Sequence, residues 1–145
     1  MNLQTPPLLV LDTNVLLVSL PEQSSYHWLF LAIRNGLVRI AVSTEMLLEY
    51  EEVIAKRIGL DRTEQALHTL LLLPNIQLIT PFFRWKIIAQ DPDDDKFIDC
   101  YVACGADCLV SNDRDFEVLA YCNFPKVVVC RLEEMQQWLE GLGVI

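Results

Sequence analysis

Residues 8–14 read Leu-Leu-Val-Leu-Asp-Thr-Asn, a short run of large aliphatic side chains that stops at an acidic residue. Four consecutive apolar residues without polar alternation are typical of a strand buried on both faces, as in a parallel sheet. Parallel strands need long crossover connections, which are usually helices. The stretch therefore predicts an α/β fold and places Asp12 at the carboxyl end of the first strand.

Short apolar runs and helical patterns alternate along the rest of the chain. We expect strands at residues 8–11, 39–42, 76–79, 108–111 and 127–130, and helices at residues 26–35, 43–58, 61–72, 94–104 and 132–142. The alternation predicts a single domain over residues 1–145, with a three-layer α/β/α architecture. A central parallel sheet of about five strands would carry helices on both faces.

Several helix ends carry recognisable signals. Ser24 or Ser25 is the expected N-cap of the first predicted helix, Ser43 or Thr44 that of the second, and Asp61 with Glu64 forms a plausible capping box for the third. The expected helix stops are glycines 36, 59 and 105.

Composition narrows the class of protein. Hydrophobic residues make up 52% and charged residues 21% of the 145, and no apolar run approaches the ~18 residues that cross a bilayer. The N-terminus lacks the basic region of a secretory signal, and five cysteines are an odd number for a disulfide framework. We therefore expect a cytoplasmic protein with reduced, mostly buried cysteines and no membrane association.

The net charge of −9 normally argues against a nucleic-acid-binding protein, because phosphate neutralisation requires Lys and Arg. That argument weakens if several carboxylates gather in one cleft, since bound divalent cations reverse the local charge. The basic groupings available to an RNA backbone are Lys56-Arg57 with Arg62, and Arg84 with Lys86, although such residues are more often solvated surface.

Acidic residues fall at positions where a parallel sheet binds ligands. Asp12 follows the first predicted strand and Asp113 lies just beyond the fourth, so both belong to the same edge of the sheet. In the helix after Ser43, Glu49 and Glu51 flank the apolar stripe, and periodicity does not choose between them. Each residue taken alone is equally well explained as a turn, a cap or a solvated side chain.

Residues 90–99 read QDPDDDKFID and contain five aspartates. Asp95 and Asp99 are four residues apart, so they share one helix face, where two like charges are unfavourable by a few tenths of a kcal/mol, roughly. They form either a solvated face or part of a cation site. Carboxylates without His or Cys partners favour Mg²⁺ or Mn²⁺, which activate water and stabilise charge on a phosphoryl group. Metal-assisted phosphodiester hydrolysis is the chemistry that this pattern indicates.

Four pieces of sequence stand in a characteristic order: LLVLDTN, STEMLLEYEEVI, DDDKFIDCYVACGAD and LVSNDRDF. Together they resemble the PIN domain (PilT N-terminus) family over nearly the whole chain, in particular the bacterial VapC-like toxins of toxin–antitoxin systems. The resemblance implies catalytic, metal-binding roles for Asp12, Glu49, Asp95 and Asp113, and so selects Glu49 over Glu51.

The resemblance also marks supporting positions. Asp99 and Asp115 are further candidate metal ligands, and Asn14 and Ser111 are candidates for orienting ligands or water. Asp91, Asp93 and Asp94 keep the interpretation of turn and cap, with Asp95 singled out as the ligand.

The family implies an Mg²⁺- or Mn²⁺-dependent endoribonuclease that acts on RNA. It further implies a role as the toxin of a type II pair, whose antitoxin blocks the acidic cleft with a basic side chain, and a homodimeric assembly. The alternative is a non-catalytic module that binds RNA or protein on the same scaffold. Receiver domains and haloacid-dehalogenase-like phosphatases fit poorly, because position 14 is Asn and Arg131 follows the fifth strand.

Overall fold

The computed structural model describes residues 5–88 and 92–145. The strands are β1 Leu8–Leu11, β2 Arg39–Ser43, β3 Ile76–Ile79, β4 Cys108–Val110 and β5 Val129–Cys130. The helices are α1 Thr13–Ser19, α2 His27–Arg34, α3 Thr44–Ile58, α4 Leu60–Leu71, α5 Asp95–Cys104 and α6 Leu132–Gly141, with 3-10 helices at Pro92–Asp94 and Arg114–Tyr121.

All five strands are parallel, and they lie in the order β3-β2-β1-β4-β5. Helices surround this central sheet, which confirms the predicted three-layer α/β/α fold. The chain builds outward from β1 in one direction through β2 and β3, and then returns to add β4 and β5 on the other side. The order therefore reverses between β1 and β4, which is where open α/β sheets bind their ligands.

The core is built on the two central strands. Leu9, Val10 and Leu109 are fully buried, as expected of strands covered on both faces. Helix α5 packs across β1, β2 and β4, and its Phe97 and Ile98 are also fully buried. The apolar faces of α5 and of the sheet thus fix where the acidic start of this helix lies.

Two details of the predicted helices are wrong. The first predicted helix is not capped by a serine: Tyr26 is the N-cap of α2, and Ser24 Oγ instead accepts from the Tyr26 N–H at 3.1 Å. The capping box at Asp61 is absent, because α4 already begins at Leu60, with Gly59 in an extended, positive-φ conformation (φ 88°) before it. The Ser43 cap is confirmed, since its Oγ accepts from the Met46 N–H at 3.2 Å.

Helix α1 is absent from the sequence prediction. It starts directly at the end of β1, with the Asp12 side chain accepting from the Thr13 N–H, and it buries Val15 and Leu16. At the other end of the chain, β5 contains two residues rather than the predicted four. Within the described residues, every helix is too short or too polar to span a bilayer.

Candidate active site

Asp12 lies at the point where the strand order reverses, and three hydrogen bonds hold it there. Its N–H donates to the Val110 carbonyl at 3.0 Å, which extends the β1–β4 pairing by one residue. One carboxylate oxygen, Oδ1, accepts from the Thr13 N–H at 2.7 Å, and Oδ2 accepts from Ser111 Oγ at 2.8 Å. The carboxylate therefore has a single, well-defined orientation.

The electrostatic environment of Asp12 is unfavourable for its negative charge. The pKa of its carboxyl is raised from 3.8 to about 6, mainly by burial and also by the neighbouring Asp113 and Glu49, against the lowering effect of the Ser111 and Thr13 hydrogen bonds. Carboxylates whose negative charges lie close together are the electrostatic setting that a bound cation relieves.

Glu49 reaches this site from α3. The Thr13 hydroxyl donates to Glu49 Oε2, and Lys96 Nζ of α5 lies 2.8 Å from Glu49 Oε1. The two ionic side chains are 19% and 17% exposed, so the pair is largely shielded from water. Glu51, the alternative that periodicity leaves open, is exposed. The structure thus directs Glu49, and not Glu51, towards Thr13 and Asp12.

Asp113 follows β4 and is tied to the same network. Its N–H donates to Ser111 Oγ at 3.0 Å, and its Oδ1 accepts from the Asp115 N–H at 2.9 Å. Oxygens of Asp94, Asp113 and Asp115 lie within 4.8 Å of one another. This acidic triad combines a buried, an exposed and a half-buried carboxylate.

The member that the α5 region contributes to the triad is Asp94, not Asp95. Asp94 is the N-cap of α5 and ends the 3-10 turn that precedes it, so its side chain projects away from that of Asp95 by roughly the 100° between successive helical residues. Asp94, which was expected to be a turn and cap residue, is thus both the N-cap of α5 and a member of the acidic triad. Asp93 is exposed, and Asp91 lies outside the described residues.

Asp95 and Asp99 make a different set of contacts. Asp95 Oδ1 accepts from the N–H groups of Ile87 at 3.1 Å and Ile88 at 2.9 Å. Asp99 Oδ1 accepts from the Trp85 N–H at 2.9 Å. This helix face is therefore not solvated, because its two carboxylates fasten the irregular segment 81–88 onto α5.

Their surroundings differ from those of the triad. Burial raises the pKa of Asp99, and nearby Asp95 and Glu45 raise it as well, whereas the Trp85 N–H and Arg84 lower it. Asp95 also lines a cavity of about 690 Å³, together with Glu49 and Lys96.

Asn14 and Asn112 complete the other side of the site. Asn14 is exposed and lines a smaller cavity of about 240 Å³ with Asp12 and Asp113. Asn112 Oδ1 accepts from the Leu132 N–H at 3.1 Å, which joins the end of β4 to the start of α6. Asn112, Thr13 and Lys96 are contributors that the sequence pattern did not single out.

The donor atoms suit a hard divalent cation. They are carboxylate and hydroxyl oxygens, which Mg²⁺ and Mn²⁺ prefer. Sulfur and imidazole ligands are engaged away from these oxygens. Cys100 and Cys108 are buried in the core, and the His27 ring stacks on Phe30, with its Nδ1 2.9 Å from the Ser19 carbonyl. Among the described residues, the oxygens of Asp94, Asp113 and Asp115 lie close enough together for such an ion, and Asp12 lies near Asp113 and Glu49.

Comparisons with known proteins agree with this architecture. The sequence pattern of the PIN domain family matches residues 8–115, which extend from β1 through the acidic triad. No curated protein matches the sequence.

Two solved structures share the fold. VapBC2 from Rickettsia felis, determined with a DNA fragment from its promoter, has a TM-score of 0.59 at 17% identity, over 86% of this chain and 98% of that one. The T. brucei RRP44 PIN domain has a TM-score of 0.55 at 13% identity, over 96% of this chain and 84% of that one. At these identities the likeness concerns the fold.

Proposed function

Because the chain belongs to the PIN domain family, whose members are generally nucleases, we propose that it is a metal-dependent endoribonuclease that hydrolyses RNA phosphodiester bonds. The observation that supports this proposal is the convergence of carboxylates from four separate parts of the chain at the switch point between β1 and β4. Asp12 lies near Asp113 and Glu49, and Asp113 lies near Asp94.

The proposed cofactor is Mg²⁺ or Mn²⁺. We propose that Asp94, Asp113 and Asp115, whose oxygens lie within 4.8 Å of one another, hold the ion, and that Asp12 and Glu49 contact it directly or through water. When bound, such an ion supplies an activated water and offsets the charge that develops on the phosphoryl oxygens. Asp94 takes the place that the sequence pattern suggested for Asp95, since it is Asp94 that lies against Asp113. Asp95 and Asp99 contribute indirectly, because their hydrogen bonds hold segment 81–88 against α5.

The side chains around the carboxylates have their own tasks. Ser111 orients Asp12 and receives the Asp113 N–H, so one hydroxyl sets the relative position of two ligands. Thr13 and Lys96 orient Glu49 from opposite sides. The ammonium group of Lys96 also borders the 690 Å³ cavity, where it can contact a substrate phosphate.

The biological role we propose is that of the toxin of a type II toxin–antitoxin pair, acting in the cytoplasm as a homodimer. Two observations support it: the fold shared with VapBC2, which was crystallised with promoter DNA, and the net charge of −9. An acidic cleft of this kind suits an antitoxin that inserts a basic side chain among the carboxylates.

Cleavage of RNA by the purified protein tests this proposal. With Mn²⁺ the wild-type protein should cut RNA, whereas Asp12→Asn should not, and chelation of the metal should abolish the wild-type activity. Equal cleavage by both proteins would attribute the activity to a contaminant. Metal-stabilised protein without cleavage of any RNA would favour the non-catalytic binding module instead.

A further inference from the structure

Residues 82–86 read Phe-Phe-Arg-Trp-Lys and alternate aromatic with cationic side chains in a segment without regular secondary structure. Phe82 and Phe83 are 96% and 61% exposed, and Phe124, from a second irregular segment, is 81% exposed. Burial of aromatic rings is favourable, so exposed rings gathered in one place mark a contact surface.

Three of these rings form one continuous surface. The Phe83 and Trp85 ring centroids are 4.6 Å apart and those of Trp85 and Phe124 are 5.3 Å apart, both edge to face. We call Phe83, Trp85 and Phe124 the aromatic platform. Trp85 is partly buried and contacts both other rings, whereas Phe83 and Phe124 remain largely exposed.

The platform is fixed next to the catalytic cleft. The hydrogen bonds of Asp99 to the Trp85 N–H, and of Asp95 to the Ile87 and Ile88 N–H groups, fasten its segment onto α5. Arg84, Lys86 and Ile88 line the same 690 Å³ cavity as Glu49 and Lys96. The residues next to the rings in the chain therefore line the cavity that Glu49 of the proposed site also lines.

The cations beside the rings are available to a polyanion. Arg84 pairs with Glu45 at 2.8 Å, but the two side chains are 66% and 49% exposed, and exposed ion pairs of this kind are easily exchanged for another partner. Lys86 is exposed at the cavity wall. Rings that stack on bases, with cations that follow the backbone, are the combination that binds single-stranded nucleic acid without reading its sequence.

We propose that the aromatic platform binds unpaired nucleotides of the RNA substrate, with bases stacked on Phe83 and Phe124 and phosphates contacted by Arg84 and Lys86. The inference rests on the proposed ribonuclease function, since it assigns the surface that delivers the strand to that site. Arg84 and Lys86 alternate with the rings, which favours RNA over a protein partner on the platform itself, although six acidic residues also line the adjoining cavity: Glu45, Glu49, Glu52, Asp93, Asp95 and Asp99.

The test measures binding of a ten-nucleotide oligouridylate to the full-length Asp12→Asn protein, which cannot consume the probe. In that background Phe83→Ala and Phe124→Ala should each weaken binding about 5- to 150-fold, the usual range for losing one stacked base. Phe124→Trp should retain affinity. Leu72→Ala, which removes an equally exposed apolar side chain from the end of α4, should leave it unchanged. For the cations, Arg84→Ala should weaken binding and the exposed Arg34→Ala of α2 should not.

Cleavage kinetics separate this inference from the proposed function. In the active protein, Phe124→Ala should raise KM while changing kcat little, because stacking contributes equally to ground state and transition state. If the protein binds oligouridylate through the rings but cleaves no RNA, the proposed ribonuclease function is wrong and the nucleotide-binding role of the aromatic platform is still supported. Unchanged oligouridylate affinity and unchanged KM in both Phe83→Ala and Phe124→Ala would contradict the nucleotide-binding role of the platform. Loss of self-association in these variants, without any loss of RNA affinity, would contradict it as well.

Discussion

Replacing Asp12 by Asn should stabilise the metal-free protein at neutral pH while abolishing its activity. The pKa of Asp12 is raised from 3.8 to about 6, first by burial and then by Asp113 and Glu49. A pKa shift of this size means that the ionised Asp12 carboxylate destabilises the folded protein by about 3 kcal/mol. Asn retains the hydrogen-bonding shape and the capping ability at the start of α1 but carries no charge.

The sign of the pH dependence follows from the raised pKa. Below pH 3.8 Asp12 is protonated in both the folded and the unfolded chain, so the full stability is present, and it is lost as the pH rises through about 6. Asp12→Asn does not lose this stability, because Asn does not ionise. At pH 7.5 we therefore expect Asp12→Asn to be more stable by about 1–3 kcal/mol, which raises Tm by roughly 3–10 °C.

Thermal unfolding of both proteins, measured from pH 4 to pH 8 in a chelating buffer, checks this. The Tm difference should be small at pH 4 and should grow up to about pH 6.5. Saturating Mn²⁺ should then raise the Tm of the wild-type protein and not that of the variant, because only the wild-type site gains from the cation. A variant that is less stable at pH 7.5, or a difference that does not vary with pH, would refute the electrostatic account of this site.

Two further substitutions separate orienting residues from ligands. Asp95→Ala removes the acceptor of the Ile87 and Ile88 N–H groups, so it should destabilise the fold by about 1–3 kcal/mol and speed proteolysis within segment 81–88. Asp93→Ala is the exposed control. Equal protease resistance of the two variants would contradict this role of Asp95. Lys96→Met keeps the aliphatic part of the side chain but leaves Glu49 without its shielded counter-ion. We therefore expect kcat to fall at least 10-fold, roughly, although the Thr13 hydrogen bond remains. Lys56→Met, which breaks the exposed Lys56–Glu52 pair, is the control, and equal kinetics of the two variants would exclude Lys96 from the site.

Strands β1, β2 and β4 were predictable from the sequence because they are buried on both faces. A run of four apolar residues that stops at a polar one, such as residues 8–11, is too short for a buried helix, and Asp12 at the end of β1 follows from the same pattern. Helix α1 was not predictable in this way, because the apolar residues after Asp12 are too few to define a helical period. The N-cap at Tyr26 and the start of α4 at Leu60 likewise depart from local capping preference, since neither helix start has a side-chain cap hydrogen bond.

Within the site, the sequence identified the acidic residues but not the direction of each side chain. Periodicity left Glu49 and Glu51 equivalent, and it is the packing of α3 against α1 that turns Glu49 towards Thr13. Asp94 and Asp95 are adjacent in a run of aspartates, so composition and spacing treat them alike. Only the junction between the 3-10 turn and α5 directs one towards Asp113 and the other towards the backbone of segment 81–88.

Binding of Mn²⁺ to Asp94→Asn and Asp95→Asn, measured by calorimetry on the full-length proteins, tests this assignment most directly. Asn at position 95 keeps an oxygen that accepts from Ile87 and Ile88, so the two variants differ mainly in where a negative charge is lost. The account predicts that Asp94→Asn weakens Mn²⁺ binding by at least ~10-fold and that Asp95→Asn changes it by less than ~3-fold. A large loss in Asp95→Asn with near-normal binding in Asp94→Asn would contradict it.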